Sequence, residues 1–389
     1  MVICDVAVIG LGAMGSAAAY HLARRGKRVV GIEQFEPGHD RGSSHGESRI
    51  IRLAYFEHPS YVPLLRRAYA LWRDLERASG EAVMTITGIL EAGHPGSAVV
   101  EGSLSASKIH DLTHEVLDAR EIGRRFPAFR LPEGWSGVFQ PDGGFLRPEL
   151  AIRLHCAGAR AAGADLRVNT RVLGIEPTGA GVRVVLDDGT IVEAGAVVVA
   201  TGAWMADLMP SLTPHLRLTR QVLGWFEPRQ PELFASARFP VFIVESEQDA
   251  IYGFPDFKGT GVKAASHMAG EVLTSAYAQR PGDAADEARI RDSLERLIPA
   301  ANGPLRRMQP CIYTRTLDED FVVDLHPGDP RIVVASPCSG HGFKFSSAMG
   351  EVLADLALKG GTDHDISRFR IDRLLDQGGA RSAAAPLMA

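Results

Sequence analysis

The segment from Asp5 to Glu33 constrains the fold more than any other part of the chain. Residues 5–9 are a short apolar run rich in β-branched side chains, the pattern of a buried strand. Gly10, Gly12 and Gly15 follow at GxGxxG spacing, and Ser16 to Arg25 then reads as a helix packed through Ala17, Ala18, Ala19, Leu22 and Ala23. Gly26 is a natural stop for that helix. Val29 to Ile32 is a second short apolar strand, and Glu33 ends it. Each piece has a mechanical role. Gly10 permits the tight turn, Gly12 lets a pyrophosphate approach the backbone, and Gly15 lets the helix lie close to the strand. The free N–H groups at the helix start, with a charge of about +0.5, attract the phosphates. Glu33 is placed to accept hydrogen bonds from a ribose diol. In this setting the glycine motif predicts dinucleotide binding. Glu33 suits the free 2′-OH of NAD or FAD and disfavours NADP, and the motif alone does not choose between the first two.

Composition narrows the class. The chain has 389 residues, of which 45% are hydrophobic and 23% charged. At roughly 150 residues per domain it holds two to three domains, enough to build a core without staples. The formal charge of −5 lacks the basic footprint of a nucleic-acid binder. Cys4, Cys156, Cys311 and Cys338 are scattered, with no CxxC pair. Neither a disulfide framework nor a metal site is expected, and the pattern suits a reducing cytoplasm. Asp5 interrupts the apolar N-terminus and no basic segment precedes it, so it is not read as a signal peptide. No run of about 18 apolar residues predicts a membrane span.

Further along, Pro59 to Arg77 carries Tyr61, Leu64, Leu65, Ala68, Leu71, Trp72 and Leu75 at helical spacing, read as a core-facing stripe. Residues 83–92 read as a strand, 105–128 as mixed with helical propensity, and 148–163 as a helix closed by Gly163. Val182 to Leu186 and Thr190 to Ala194 flank Asp187-Asp188-Gly189, a hairpin signal. Ala196 to Thr201 reads as a separate buried strand. Residues 214–272 are strand-rich, 284–297 helical, Ile332 to Ala335 a buried strand, and Ser346 to Leu358 a helix. Dinucleotide-type strand and helix signals therefore recur at the start, near 196 and near 332. One domain is built from three separated segments, with a second inserted twice.

Eight motifs in order give the chain a resemblance to a known family. They are GLGAMGSAAAYHLARRG, GSSHGESRIIRLAY (42–55), GFLRPELA (144–151), ATGAW (200–204), YGFP (252–255), the Lys263/His267 pair, CIYTRTLDEDFVVDLHP (311–327) and SGHGFKFSS (339–347). From about residue 3 to residue 372 the chain resembles the monomeric sarcosine oxidase and N-methyltryptophan oxidase family, within the D-amino-acid-oxidase-like flavoproteins. The resemblance implies an α/β (α+β) fold: a Rossmann-like FAD-binding domain (1–82, 145–212 and 310–376) with an inserted mixed-sheet substrate-binding domain (83–144 and 213–309), then a flexible tail (377–389). It implies FAD as cofactor, a secondary amino acid and O2 as small-molecule partners, and a monomer. The reaction would be oxidative demethylation to formaldehyde, a primary amine and H2O2. A flavin dehydrogenase serving a carrier, or an oxidase of pipecolate or N-methyltryptophan, would share most of these motifs.

The resemblance also assigns residues. Cys311 matches the cysteine that holds FAD covalently, a position where a lone cysteine would otherwise read as an inert buried thiol. Arg52 and Lys344 match a pair that clamps the substrate carboxylate, with a fork and a point charge. Lys263 matches a lysine that activates O2, where a fixed ammonium stabilises developing superoxide. His267 matches a histidine near the substrate amine, and Tyr252 and Tyr313 match aromatics lining the cavity. Arg49 and His45 match residues beside the flavin ring. Ser43, Ser48, Val172, Thr201, Gly202, Gly340 and Gly342 fall in FAD-contact segments, together with Gly10, Gly12, Gly15, Glu33 and Lys344. There are departures: Ser48 stands where many relatives have Thr, Ser44 where His is common, Ile243 where a Met lines the cavity, and Cys338 where Phe or Leu is usual. Cys338 is a rival position for the flavin link, and Ile243 and Cys338 could reshape the pocket.

Overall fold

The computed structural model describes residues 2–267 and 270–375. The expected tail, 377–389, lies outside the described residues. Among these residues the strands form sheets of eight, nine and three strands, giving the expected mixed α/β architecture.

The eight-stranded sheet is built around Val2–Ile9. That strand runs parallel to Val29–Ile32 on one side and Ile191–Val199 on the other. Its side chains alternate between two cores: Val6 and Val8 face the helices, while Ala7 and Ile9 face the opposite layer with Val197, Val199 and Met205. Burial on both faces is why these strands are apolar throughout rather than alternating. The helices on the first face are Ala13–Arg24, Pro148–Ala161 and Ser346–Lys359.

The far edge of Ile191–Val199 is shared between two partners. Its first half pairs antiparallel with Val182–Leu186, and Val197 to Val199 pair parallel with Ile332 to Val334. This corrects the expectation of two strands, 190–194 and 196–201. The residue between them, Gly195, does not break the strand. A Cβ there would come within 2.9 Å of the Asp5 carbonyl oxygen, so the glycine marks a close approach of the neighbouring strand. Residues 83–92 depart in the other direction. Gly88, at φ +74°, turns the chain between Met84–Ile86 and Ile89–Gly93, and these two strands join different sheets.

In the nine-stranded sheet Leu216–Phe226 also has a shared edge. One side pairs along its length with Leu305–Thr316, and the other with Glu271–Leu273 and then Val262–His267. The expected domain boundary at 310 falls inside Leu305–Thr316, whose register puts Cys311 opposite Gln221 in this sheet. Ala250–Phe254, Val241–Glu245 and Ile89–Gly93 continue it. The three-stranded sheet, Arg49–Ile51 with Gly144–Leu146 and Met84–Ile86, carries the start of the arginine-bearing segment. No helix among the described residues is long and apolar enough to cross a membrane.

Helix Ser346–Lys359 lies against helix Ala13–Arg24 at Gly350, where a Cβ would stand 2.5 Å from the Ala17 carbonyl carbon. Gly350→Ala should therefore destabilise the protein by about 1–3 kcal/mol through overpacking, although the same change in an open helix is stabilising by about 1 kcal/mol. Urea unfolding checks this; a midpoint that stays or rises would contradict the close packing.

Candidate active site

The parallel strands end beneath a cavity of about 240 Å3. Gly10, Gly12, Glu33, Val172, Thr201 and Gly202 all line it. The three glycines of the motif are needed for different reasons. Gly10 sits at φ +86°, and a Cβ on it would come 2.6 Å from the Ala200 carbonyl oxygen. A Cβ on Gly15 would collide with the Gly10 carbonyl, so Gly15 lets the helix close on the turn. Gly12 is different: a Cβ there would meet nothing nearer than Ser44 Oγ at 3.9 Å. The protein leaves open space above Gly12, at the helix start where an anion is favoured. Glu33 Oε2 accepts a hydrogen bond from Leu11 N–H (2.8 Å) and Oε1 one from Phe35 N–H (3.0 Å), which fixes the carboxylate at the cavity wall. Thr201 Oγ1 and the Trp204 indole N–H are buried at the same wall without partners among the described residues. Open space at Gly12 and unspent polar groups opposite it fit a dinucleotide such as FAD.

A second cavity, of about 110 Å3, shares Ala13, Met14, Ser43, Ser44 and Cys338 with the first, so the two adjoin. It brings together Arg49, Arg52, Ile243, Tyr252, His267, Tyr313 and Lys344, with Gly340 and Gly342 on its rim. Arg52 is almost fully buried between the rings of Tyr55 and Phe56, each 4.3 Å from its guanidinium carbon. Its Nη2 donates to both oxygens of Glu57 (2.7 and 2.6 Å), and its Nη1 to the Ala54 carbonyl (2.9 Å). Burial opposes ionisation of Glu57, but Arg52 above all holds its pKa down at about 2. Lys344 is also buried, and among the described residues its Nζ has one acceptor within hydrogen-bond distance, the His341 carbonyl at 2.7 Å. Burial and then Arg52 lower its pKa to about 7. Burial raises the pKa of both the Tyr252 and the Tyr313 hydroxyl, so both stay protonated at neutral pH. The His267 ring stands edge-on to both, at 6.0 and 6.2 Å. The rim glycines answer to the protein itself: a Cβ on Gly340 would strike the Tyr313 ring, and one on Gly342 the Pro337 carbonyl.

Five of the predicted residues line neither cavity: Gly15, under the turn, and four others. Cys311, Lys263, His45 and Ser48 lie just behind the wall. Arg49 joins the layers, donating to the Ser48 carbonyl (2.9 Å), the Ser43 carbonyl (3.0 Å) and Cys311 Sγ (3.5 Å). Burial pushes the Cys311 thiol up, but Arg49, His45 and Lys263 together bring it down to about 7. The other three thiols go the opposite way: burial raises Cys4 and Cys338 to about 11 and Cys156 to about 12. His45 Nε2 meets the Gly42 carbonyl (3.1 Å), while its Nδ1 has no partner among the described residues. Lys263 donates to the Gly46 and Ser48 carbonyls (2.7 and 2.8 Å) and to Ser48 Oγ (3.2 Å). It faces the Phe254 ring at 4.5 Å. Burial and then Arg49 push its pKa well below the ordinary lysine value. Ser43 Oγ donates to the Ile312 carbonyl (2.6 Å), which ties the 42–49 segment to the strand that carries Cys311.

The sequence reading missed Glu57, Phe56 and His341, which line the second cavity, and Trp204 and His39, which line the first. His341 stood inside the SGHG motif without a role. Glu57 had a weak signal, an acid five residues after Arg52.

The comparisons with known proteins agree with this geometry. Residues 5–356 match the family described as FAD dependent oxidoreductase, and the chain belongs to that family. Three relatives are more specific. The monomeric sarcosine oxidase of Streptomyces avermitilis is 42% identical over 375 residues, covering 95% of this chain and 97% of the relative. That of Bacillus sp. strain B-0618 is 41% identical, covering 95% and 96%. The N-methyl-L-tryptophan oxidase of Yersinia pestis is 37% identical, covering 95% and 99%. Among solved structures, NikD, described as an unusual amino acid oxidase essential for nikkomycin biosynthesis, superimposes with a TM-score of 0.84 at 27% identity, covering 95% of this chain and 98% of NikD. The L-proline dehydrogenase from P. horikoshii, at 22% identity and a TM-score of 0.83, shares the fold.

Burial lowers the His267 pKa to about 4. Its folded value lies below the ordinary one, so the ring stays neutral from pH 9 down to about 5 and charges only below that. NMR of isotope-labelled histidine, assigned with His267→Asn, should show no titration of this ring between pH 6 and 9. A midpoint near 6.5 would contradict it.

Proposed function

We propose that this protein is an FAD-dependent oxidase of a secondary amino acid, sarcosine or a related N-methyl amino acid. The overall reaction converts the N-methyl amine, O2 and water into the primary amine, formaldehyde and H2O2. The observation that carries this reading is the convergence of two buried cations, Arg52 and Lys344, on a small cavity that adjoins a dinucleotide cleft. The names of the relatives point to the same substrate class. The protein is read as a cytoplasmic monomer, in keeping with its scattered free thiols and with relatives named as monomeric.

The residues divide the work. Arg52 and Lys344 hold the substrate carboxylate, Arg52 through its fork and Lys344 as a point charge. At Arg52 Nη2 the carboxylate competes with Glu57, which holds that nitrogen through both oxygens. Ile243, Tyr252 and Tyr313 wall the apolar side, and this keeps water from the reacting C–H bond. Neutral His267 stands in the same wall and can accept a hydrogen bond from the amine without adding a competing charge. FAD, held by the Gly10–Gly15 turn, Glu33, Ser43, Val172, Thr201 and Gly202, supplies the two-electron acceptor. Arg49 and His45 lie beside its proposed ring position and favour negative charge there. Lys263 serves the oxygen half of the reaction: an anion developing nearby restores the ammonium form that burial disfavours.

Arg52→Lys keeps the charge and loses the fork. It should raise KM for the N-methyl amino acid by roughly tenfold or more with a smaller effect on kcat, as expected where uniform binding is lost. Peroxide-coupled kinetics across a panel of N-methyl and cyclic amino acids measures this and tests the reading as a whole. An unchanged KM would remove the clamp, and a panel that yields no peroxide would remove the oxidase.

The FAD is proposed to be covalent, as a thioether to Cys311. The support is the low proton affinity of this one thiol, since the thiolate is the reactive form. Acid precipitation of the purified protein should leave the yellow colour in the pellet, and in Cys311→Ser it should move to the supernatant. Colour in the supernatant of the unaltered protein would refute the link.

A further inference from the structure

Glu91 stands in the middle of an otherwise apolar strand, Ile89–Gly93, and is completely buried. It lies 3.2 Å from Arg52 Nη1 with the Ser103 hydroxyl beside it, yet neither of its carboxylate oxygens makes a well-aligned hydrogen bond among the described residues. The side chains around it are also unspent. Arg52 Nε and Gln140 Nε2 are buried without partners among the described residues, and the Ser103 hydroxyl of helix Ala98–Ile109 has only Glu91 beside it. A carboxylate so poorly satisfied costs stability, and an apolar side chain would serve this strand position better. Glu57 lines the second cavity and Glu91 does not, so an anion entering the cavity meets Glu57 on Arg52 while Glu91 remains at its back.

We propose that Glu91 is a positioning residue that sets the charge of the anion site through Arg52, so that binding of a carboxylate draws a proton onto Glu91. With Glu91 protonated, Arg52, Lys344 and Glu57 leave one net positive charge for the ligand. With Glu91 ionised, that excess is cancelled. The inference rests on the carboxylate-binding role proposed for Arg52. The charged and titratable groups around Glu91 are Arg52, Glu57 and Lys344, with the Tyr69 hydroxyl on helix Val62–Ser79. Helix Ala98–Ile109 contributes Ser103, and strand Ser136–Gln140, which pairs with the Glu91 strand, contributes Gln140. Glu245 of the adjoining strand is turned to Ser97 Oγ and Val99 N–H. Burial, against the pull of Arg52, raises the Glu91 pKa to about 7, so the exchange falls near neutral pH. Lys344 titrates in the same range and also weakens anion binding as pH rises, so the test must separate the two.

Acetate is the probe, titrated into the holoenzyme between pH 6 and 9. Binding is followed by the flavin absorption change and by calorimetry in buffers of different ionisation enthalpy, which counts protons taken up. The unaltered enzyme should bind acetate more weakly as pH rises and take up protons above pH 7. In Glu91→Gln the slope of log Kd against pH should fall by about one, the proton uptake should fall by as much, and acetate should bind on the order of tenfold more tightly at pH 8 than in the unaltered enzyme. Glu91→Leu, whose side chain suits the strand, should behave the same way. A slope and proton uptake unchanged in these variants, or no uptake in the unaltered enzyme, would overturn the role of Glu91. If the unaltered enzyme binds no acetate at any pH, the carboxylate site itself is wrong, a result distinct from the others.

Discussion

Three cations are held out of water around one pair of adjoining cavities, and the neighbouring residues are arranged to meet that demand. A buried charge is tolerated when it is paired and hydrogen-bonded, but the three are not treated alike. Arg52 has two carboxylates and two aromatic faces. Lys263 and Lys344 have backbone carbonyls and a serine hydroxyl as their hydrogen-bond acceptors. A carbonyl dipole satisfies the donor without cancelling the charge. Arg52 therefore keeps its proton against burial, while both lysines hold theirs weakly. A site of this kind gains from any anion that arrives or develops within it, because the anion supplies the charge that the protein withholds.

The 42–49 segment transmits this arrangement. Its carbonyls at Ser43, Gly46 and Ser48 face Arg49 and Lys263. Its N–H groups at Gly46 and Glu47 face the Glu149 carboxylate in the first turn of helix Pro148–Ala161. Donors on one side and acceptors on the other require a reversal within two residues, and the backbone makes it with Gly46 at φ +94° and Glu47 at φ +66°. The second of these is costly for a side chain with a Cβ and persists only because the surroundings hold it. An acid on one helix thus fixes the loop that meets Arg49 and, on the nine-stranded sheet, Lys263.

What the sequence made legible follows from range. The turn at Gly10–Gly15 could be read because its partners lie within a few residues and its steric logic is local. The hairpin at Gly189 and the helix at Ala284–Leu297 were legible for the same reason. Gly195 was misread because its constraint comes from Asp5, which is remote in sequence. Cys311 and Lys263 were identified by resemblance, but their place behind the cavity wall depends on the register of Leu216–Phe226 with two strands at once, which no local pattern encodes. Glu91 had a visible signal, a charge inside an apolar run, but its meaning needed Arg52 beside it.

The two cysteines near the cleft separate exposure from reactivity. Cys338 lines both cavities and would be the natural choice on access alone. Cys311 lines neither. Yet Cys338 has no cation to oppose the effect of burial, whereas Cys311 has Arg49 at 3.5 Å with His45 and Lys263 acting in the same direction. A thiol attacks as the thiolate, and at neutral pH a pKa of about 7 leaves about half of it ionised, while one of about 11 leaves about one part in ten thousand. Cys311 is flanked by Ile312, which lines the second cavity, and Ser43, which lines both, so one layer of residues separates it from them. Access and acidity thus point to different thiols: Cys338 has the access and Cys311 the acidity.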